Sequence, residues 1–286
     1  MARDAYRVTG SGAGRTATGH YFARARYDMK IHQIRNATIL VDYGDVRLLV
    51  DPMLMDKHTL PPLRLFKYRE RNPAVALPEN ARALLDSATH CLITHFRKGH
   101  FDHLDKAATK WLGCRDLPVF CAPRDADILA KKGLRTMPLN RSCGKAQDFL
   151  GGTIRMTPCR HGRGLVGLFM EHGVGYFIRM PGEPSLLVTG DTILTTQLKA
   201  FVTSHKPDIV VAPAGGARFD IGGKIIMDAG DMVELAKLTP GKIVANHIEA
   251  ISHCPVPRAD VEQRARQSGL HDRIFAPADG EALKFD

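Results

Sequence analysis

The sequence predicts a single α/β domain in which two stacked β-sheets are covered by outer helices. Short apolar or alternating segments with strand character recur from about residue 29 onward, and helical segments lie between them in both halves of the chain. No sequence repeat or low-complexity linker divides the chain. With 286 residues, 44% of them hydrophobic, the chain can bury one large core.

The individual elements follow from local patterns. Gly44 and Asp45 join two β-rich segments, which is typical of a hairpin. Residues 53–78 show no period, as in a binding loop or lid. The predicted strands cover residues 37–43, 46–50, 91–94, 117–121, 153–157, 174–179, 186–189, 209–212, 242–245 and 282–285. The predicted helices cover residues 105–112, 125–132, 228–238 and 258–266.

Residues 1–28 differ in composition from the rest of the chain. They are rich in Gly, Ala, Arg and Thr and hold few aliphatic residues. Gly10, Gly12 and Gly14 do not form a dinucleotide-binding motif, because no apolar strand precedes them. We therefore expect residues 1–28 to be a loosely packed extension and residues 29–286 to be the domain.

Composition narrows the function classes. No segment approaches the length of a membrane span, the first residues lack the apolar segment of a secretory signal, and the six cysteines show no CxxC pair. These features indicate a cytoplasmic protein with reduced thiols. The net charge of +10 suits anionic ligands, but no run of five basic residues indicates a nucleic-acid partner.

Three histidines and one aspartate lie within nine residues, between a predicted strand and a predicted helix. They are His95, His100, Asp102 and His103. Imidazole and carboxylate groups are the usual ligands of zinc and similar divalent ions. The loop therefore predicts a metal site.

Further candidates come just after other predicted strands. His161, Asp191 and His247 each follow one, as do residues 213–216. A single buried histidine is more often structural, and Asp191 is compatible with a backbone cap. Their shared position at strand ends, however, favours convergence at one edge of a sheet.

In this order the motifs resemble those of the metallo-β-lactamase superfamily, and within it the L-ascorbate-6-phosphate lactonase-like branch. The resemblance covers about residues 29–270. Its motifs are Asp51-Pro52 after the strand that begins at Val46, the loop from His95 to His103, Thr157-Pro158 with His161, Thr189-Gly190-Asp191-Thr192, and Asn246-His247. The segment from Glu249 to Pro255, followed by Arg258, is similar to that branch.

The resemblance implies an αββα sandwich of two mixed sheets and a binuclear metal-dependent hydrolase. It implies one metal on His95, His100 and His161, a second on Asp102, His103 and His247, and Asp191 as the bridge. It further implies that Asp51 orients a ligand histidine and that Asp102 assists proton transfer. Zinc is the first choice of metal, with manganese and iron as alternatives. The reaction implied is attack by metal-bound hydroxide on a small lactone, ester or phosphoester.

One departure from the family pattern affects His95. Four residues, Phe96 to Gly99, separate it from His100, where the family has one. We predict that His95 still reaches the metal and that residues 97–99 bulge into the pocket mouth, which Gly99 permits. The alternative is that His95 turns away and one metal has fewer protein ligands.

Four basic residues in or beside the motif loops are candidates for substrate binding: Lys98, Arg160, Arg163 and Arg218. Ordinary solvated surface is the alternative role, and convergence of two or more would favour an anionic substrate. Two other functions stay open: a phosphodiesterase or nuclease of the same superfamily, and a non-catalytic binding protein that has lost metal. The sequence is also compatible with a homo-oligomer.

Overall fold

The computed structural model describes residues 29–64, 66–67, 69–140 and 144–285. The proposed boundary at residue 28 therefore lies at the edge of the described residues, and residues 1–28 lie outside them. No helix in the described ranges combines the length and the apolar character that a bilayer crossing requires.

Fourteen strands and seven helices alternate along the described chain. The strands are β1 (Met29–Arg35), β2 (Thr38–Tyr43), β3 (Val46–Val50), β4 (His90–Leu92), β5 (Val119–Cys121), β6 (Thr136–Pro138), β7 (Gln147–Phe149), β8 (Gly152–Pro158), β9 (Val174–Arg179), β10 (Leu186–Val188), β11 (Ile209–Pro213), β12 (Lys242–Asn246), β13 (Ile274–Phe275) and β14 (Ala282–Phe285). The helices are α1 (Ala81–Ser87), α2 (Lys106–Arg115), α3 (Ala126–Lys131), α4 (Gly164–Phe169), α5 (Thr196–His205), α6 (Ala229–Ala236) and α7 (Arg258–Gln267).

The strands form two seven-stranded mixed sheets. The first has the order β14-β1-β2-β3-β4-β5-β6, and the second has the order β13-β12-β11-β10-β9-β8-β7. In the first sheet β3 to β6 run parallel, and in the second β10 to β13 do. Most candidate ligands follow the carboxyl ends of these parallel strands in sequence, whereas His161 follows β8, which is antiparallel to its neighbours.

The main core lies between the two sheets. Leu48 and Leu92 of the first sheet share it with Tyr176, Val188 and Val211 of the second. Helices α2 and α3 cover the outer face of the first sheet, and α5, α6 and α7 cover that of the second. This arrangement confirms the predicted αββα sandwich.

The irregular segment 53–78 is fixed to the sandwich by a buried arginine. Arg35 is fully buried, and its guanidinium donates to the carbonyls of Met53, Met55 and Val75. Ala74 also donates its backbone N–H to the carbonyl of Ala250. The long loop is thereby anchored beside the segment that follows β12.

Candidate metal centre

Seven His and Asp side chains that lie far apart in sequence meet at one edge of the sandwich. They fall into two groups, and within each group the potential ligand atoms lie within 4.8 Å of one another. All seven side chains are buried. The first group is His95, His100 and His161; the second is Asp102, His103, Asp191 and His247.

Asp191 joins the two groups. Its Oδ2 lies 3.5 Å from Nε2 of His161 in the first group. The same oxygen lies 3.2 Å from Nε2 of His103 and 3.3 Å from Nε2 of His247 in the second. One carboxylate oxygen thus faces imidazoles of both groups, which is the placement that a bridging ligand needs.

Each of the five histidines is held at Nδ1, which leaves Nε2 toward the centre. The Nδ1 partners are Thr94 Oγ1 at 3.0 Å for His95, the Arg97 carbonyl at 2.6 Å for His100, Asp51 Oδ2 at 2.8 Å for His103, the Ile225 carbonyl at 2.9 Å for His161 and Cys254 Sγ at 3.4 Å for His247. Contacts of this kind fix the orientation of metal-binding histidines in proteins.

Asp51 lies behind the cluster and not in it. Its carboxylate accepts hydrogen bonds from the backbone N–H and the hydroxyl of Thr94, at 2.8 and 2.6 Å, and contacts Nδ1 of His103. Asp51 and His247 both adopt left-handed backbone angles, with φ of 46° and 56°. Residues other than glycine rarely do so, and such strain concentrates at functional sites.

The donor set fits a divalent metal. Among the described residues, the buried Nε2 atoms of His95 and His100 have no hydrogen-bond partner. A buried polar atom without a partner is costly, and a cation between these nitrogens would satisfy both. Nitrogen and carboxylate oxygen are also the donor types that zinc, manganese and iron accept.

The electrostatics of the two groups differ. Burial, aided by the neighbouring histidines, holds the pKa of His95 well below its usual value, and burial lowers the pKa of His161 to about 4. These imidazoles are neutral near pH 7 and can bind a cation without losing a proton. Burial alone would lower the pKa of His103, but the negative charges of Asp191 and Asp51 outweigh it and raise the pKa well above normal. Metal binding at His103 must therefore release a proton.

His95 lies within the cluster despite the longer spacing to His100. Its ring centroid is 4.5 Å from that of His100 and 5.7 Å from that of His161. Gly173 makes room for it, because a Cβ at that position would lie 3.0 Å from Cβ and Cγ of His95. The alternative in which His95 points away from the cluster does not match the structure.

Arg97, in the predicted bulge, is paired with two carboxylates. Its guanidinium lies 2.7 Å from Asp125 and 3.4 Å from Glu171. Two carboxylates already neutralise it, so Arg97 is not free for a substrate. Lys98 does stay at the surface, where Nζ donates to the Phe169 carbonyl at 3.3 Å.

The other proposed substrate-binding residues lie at the surface. The side chains of Arg160, Arg163 and Arg218 are exposed. Arg160 and Arg163 flank His161 in sequence, and Arg218 donates from Nε to the Gly216 carbonyl at 3.3 Å. Their role in substrate binding stays a prediction.

Sequence patterns did not indicate two of the residues that lie beside the cluster, Asp125 and Glu171, whereas they did include His253. Asp125 and Glu171 pair with Arg97, and neither belongs to a motif. His253 is buried, its ring stacks on Phe219 with centroids 5.7 Å apart, and its Nδ1 has no hydrogen-bond partner among the described residues. Its sequence signals were its position after His247 and its place in the segment from Glu249 to Pro255 that resembles the family branch.

The fold and the buried His/Asp cluster define a metallo-hydrolase of the metallo-β-lactamase fold. No family model matches the chain. The chain is, however, 32% identical over 265 residues to the UPF0173 protein YddR of Bacillus subtilis (strain 168), and the alignment covers 90% of this chain and 100% of YddR. A UPF0173 metal-dependent hydrolase of Xanthobacter autotrophicus is 29% identical over 203 residues, covering 68% of this chain and 74% of the relative. The chain belongs to the UPF0173 family of metal-dependent hydrolases.

Solved structures agree with this assignment. The isothiocyanate hydrolase from Delia radicum gut bacteria superposes with a TM-score of 0.80 at 31% identity, covering 90% of this chain and 99% of that one. The metallo-β-lactamase fold protein YhfI from Bacillus subtilis covers 90% of this chain and 99% of that one, with a TM-score of 0.59. At 13% identity YhfI shows the fold alone. The lactonase-like branch receives no specific support from these relatives and remains an interpretation.

Proposed function

We propose that the protein is a binuclear metallo-hydrolase that acts on a small, largely apolar substrate with an electrophilic carbon. The observation that carries the proposal is the pair of buried ligand groups joined by one oxygen of Asp191. His95, His100 and His161 would hold one divalent ion, zinc being the first candidate. Asp102, His103 and His247 would hold the other.

When bound, two such ions supply a water of lowered pKa and positive charge for a developing oxyanion. The chain's own residues prepare the site for that chemistry. Asp191 keeps negative charge between the two groups, since burial alone would raise its pKa but the charges of His247 and His103 hold it well below normal. We propose that Asp102 accepts and passes on a proton at the second group; its Oδ2 lies 3.1 Å from Nε2 of His247.

Loops that start at the ligands carry apolar side chains to the surface. Helix α4 begins three residues after His161, and its Leu165 and Phe169 are exposed. The loop that holds the Ile225 carbonyl against His161 also carries Ile221, which is 84% exposed. Gly222 of this loop packs against Val166 of α4. An apolar surface beside a metal centre favours a substrate with an apolar group.

The relatives suggest which electrophile to test first. The isothiocyanate hydrolase is 31% identical to this chain over nearly its whole length. In an isothiocyanate, the electrophilic carbon of the N=C=S group is linked through nitrogen to an apolar group. Its hydrolysis with one water gives an amine and carbonyl sulfide. Lactones and esters offer a similar carbon. Lys98, Arg160, Arg163 and Arg218 are the residues that would favour a phosphoester instead.

The test combines metal analysis with a substrate panel. The purified protein would be assayed for zinc, manganese and iron, then mixed with an aryl-alkyl isothiocyanate, a lactone, a carboxylic ester and a phosphodiester, before and after chelation. We expect close to two ions per chain and chelator-sensitive amine release from the isothiocyanate. Phosphodiester cleavage alone would overturn the proposed substrate class. A protein that neither contains nor takes up metal would overturn the proposal as a whole.

A further inference from the structure

Residues 96–99, which separate His95 from His100 and form an insertion three residues longer than the family spacing, are held by an ionic clamp. The clamp consists of Arg97, Asp125 and Glu171. Asp125 precedes helix α3 and Glu171 follows helix α4, so three separate parts of the chain meet at the inserted residues. The side chains of Asp125 and Glu171 are only 1% and 6% exposed.

Glu171 contacts the insertion at both its backbone and its side chain. Its Oε2 accepts the backbone N–H of Arg97 at 2.5 Å, while its Oε1 lies 3.4 Å from Nε of Arg97. The other end of the guanidinium reaches Oδ1 of Asp125 at 2.7 Å. The planar fork of arginine suits two carboxylates, and both the backbone N–H and the side chain of Arg97 contact them.

The clamp reaches the metal site through His100. The carbonyl of Arg97 accepts the Nδ1–H of His100 at 2.6 Å, and this bond places the Nε2 lone pair toward the cluster. Oε2 of Glu171 also lies 3.8 Å from Nδ1 of His100, where its charge reinforces the same tautomer. Glu171 thus holds the N–H of the residue whose carbonyl orients the ring that must bind the metal.

Among the described residues, the other side-chain hydrogen bond of the insertion lies at the surface, from Lys98 Nζ to the Phe169 carbonyl at 3.3 Å. Lys98 and Gly99 are exposed, and both have positive φ, 53° and 86°. Phe96 is buried in the packing beneath helix α2, which anchors the start of the insertion but not its end at His100. Glu171 holds the backbone N–H of Arg97, the residue that precedes these two exposed residues.

We propose that Glu171 is a positioning residue that lets the lengthened loop present both His95 and His100 to the same ion. Asp125 assists by holding the Arg97 guanidinium. The proposal rests on the binuclear site proposed above. It predicts that loss of the Glu171 carboxylate weakens the ion held by His95, His100 and His161, and leaves the ion at His103 and His247 bound as before.

Zinc titration in competition with a chromophoric chelator gives the two binding steps. Reference variants His100→Gln and His103→Gln assign each step to a ligand group. Glu171→Ala should weaken the His100 step by about 10- to 100-fold, the range found when a residue that orients a ligand is removed. Glu171→Gln keeps an acceptor for the Arg97 N–H and should recover part of that loss. Glu234→Gln, which removes an exposed carboxylate 2.8 Å from Lys237, is the matched control and should change neither step.

A merely structural role would lower the melting temperature of the metal-free protein and shift both zinc steps together. That result, or wild-type zinc binding by Glu171→Ala, would overturn the inference. If Glu171→Ala does not fold, Glu171→Gln and Arg97→Lys carry the test, and unchanged binding in both contradicts it. A wild-type protein that binds no zinc, manganese or iron would overturn the proposed function, and this inference with it.

Discussion

Replacing Asp51 with asparagine is expected to weaken metal binding while leaving the fold intact. The Asp51 carboxylate accepts from the Thr94 N–H, from the Thr94 hydroxyl and from Nδ1 of His103. An asparagine has only one acceptor oxygen. In one orientation its NH2 group faces the Thr94 N–H, and in the other it faces Nδ1 of His103. The second orientation forces the proton of His103 onto Nε2, where it blocks a metal.

The size of the effect follows from those contacts. The loss of one charge-assisted hydrogen bond should lower the free energy of unfolding of the metal-free protein by about 1.5 to 3 kcal/mol. Affinity for the ion at His103 should fall by about 10- to 100-fold. That range corresponds to about 1.4 to 2.8 kcal/mol of binding free energy. The protein should remain folded, because the hydrophobic core between the sheets is unchanged.

The assay is zinc competition together with urea unfolding of the metal-free protein. Asp42→Asn provides a matched control, because Oδ2 of Asp42 lies 3.1 Å from Nε2 of His32 in a second, partly buried His–Asp pair on β1 and β2. The control should lose some stability but no zinc affinity. Zinc binding by Asp51→Asn that equals that of the wild type would refute the view that Asp51 sets the tautomer of His103.

Three further outcomes are expected. Asp191→Asn should abolish most activity, since the carboxylate faces both ligand groups, and should change the melting temperature of the metal-free protein little. Turnover and thermal melting are measured on the same variant. Full activity would show that Asp191 is not part of the site. A chain that starts at Met29 should keep its melting temperature and metal content, and aggregation on truncation would show that residues 1–28 belong to the domain. Burial lowers the pKa of His253 to about 3 from 6.5, so between these pH values the unfolded chain binds a proton that the folded protein does not. The free energy of unfolding therefore decreases as the pH falls from 6.5 to 3. His253→Gln should therefore make stability less sensitive to acid, by up to about 1.4 kcal/mol per pH unit in urea titrations of metal-free protein, and an unchanged slope would contradict this.

The sequence predicted the layers of the fold because its strong elements obey simple periods. β9 lies at residues 174–179 as predicted, and the hairpin of β2 and β3 turns at Gly44 and Asp45. Helix α5 was not predicted. Only Leu198 and Val202 are buried in it, and its Thr and Val residues favour strands as readily as helices. Strand β7 is three residues long, too short to show an alternation.

The candidate ligands could be predicted because they sit in motifs at strand ends, whereas the residues that hold the ligands could not. The partners of Nδ1 include carbonyls of Arg97 and Ile225, and no side-chain type encodes a backbone carbonyl. The direction of Arg97 depended on Asp125 and Glu171, which come 28 and 74 residues later in the chain. A single sequence contains no signal for such pairings.

The place of β14 has a consequence for synthesis on the ribosome. This strand, the last of those described, pairs with β1, so that Phe285 lies opposite Met29. Until residues 282–285 emerge, the outer edge of β1 offers a row of unpaired backbone groups that another nascent chain can extend. Of the described strands, β1 therefore keeps one edge unpaired until β14 has been made, and pairing between unfinished chains is the failure expected when this protein is overproduced.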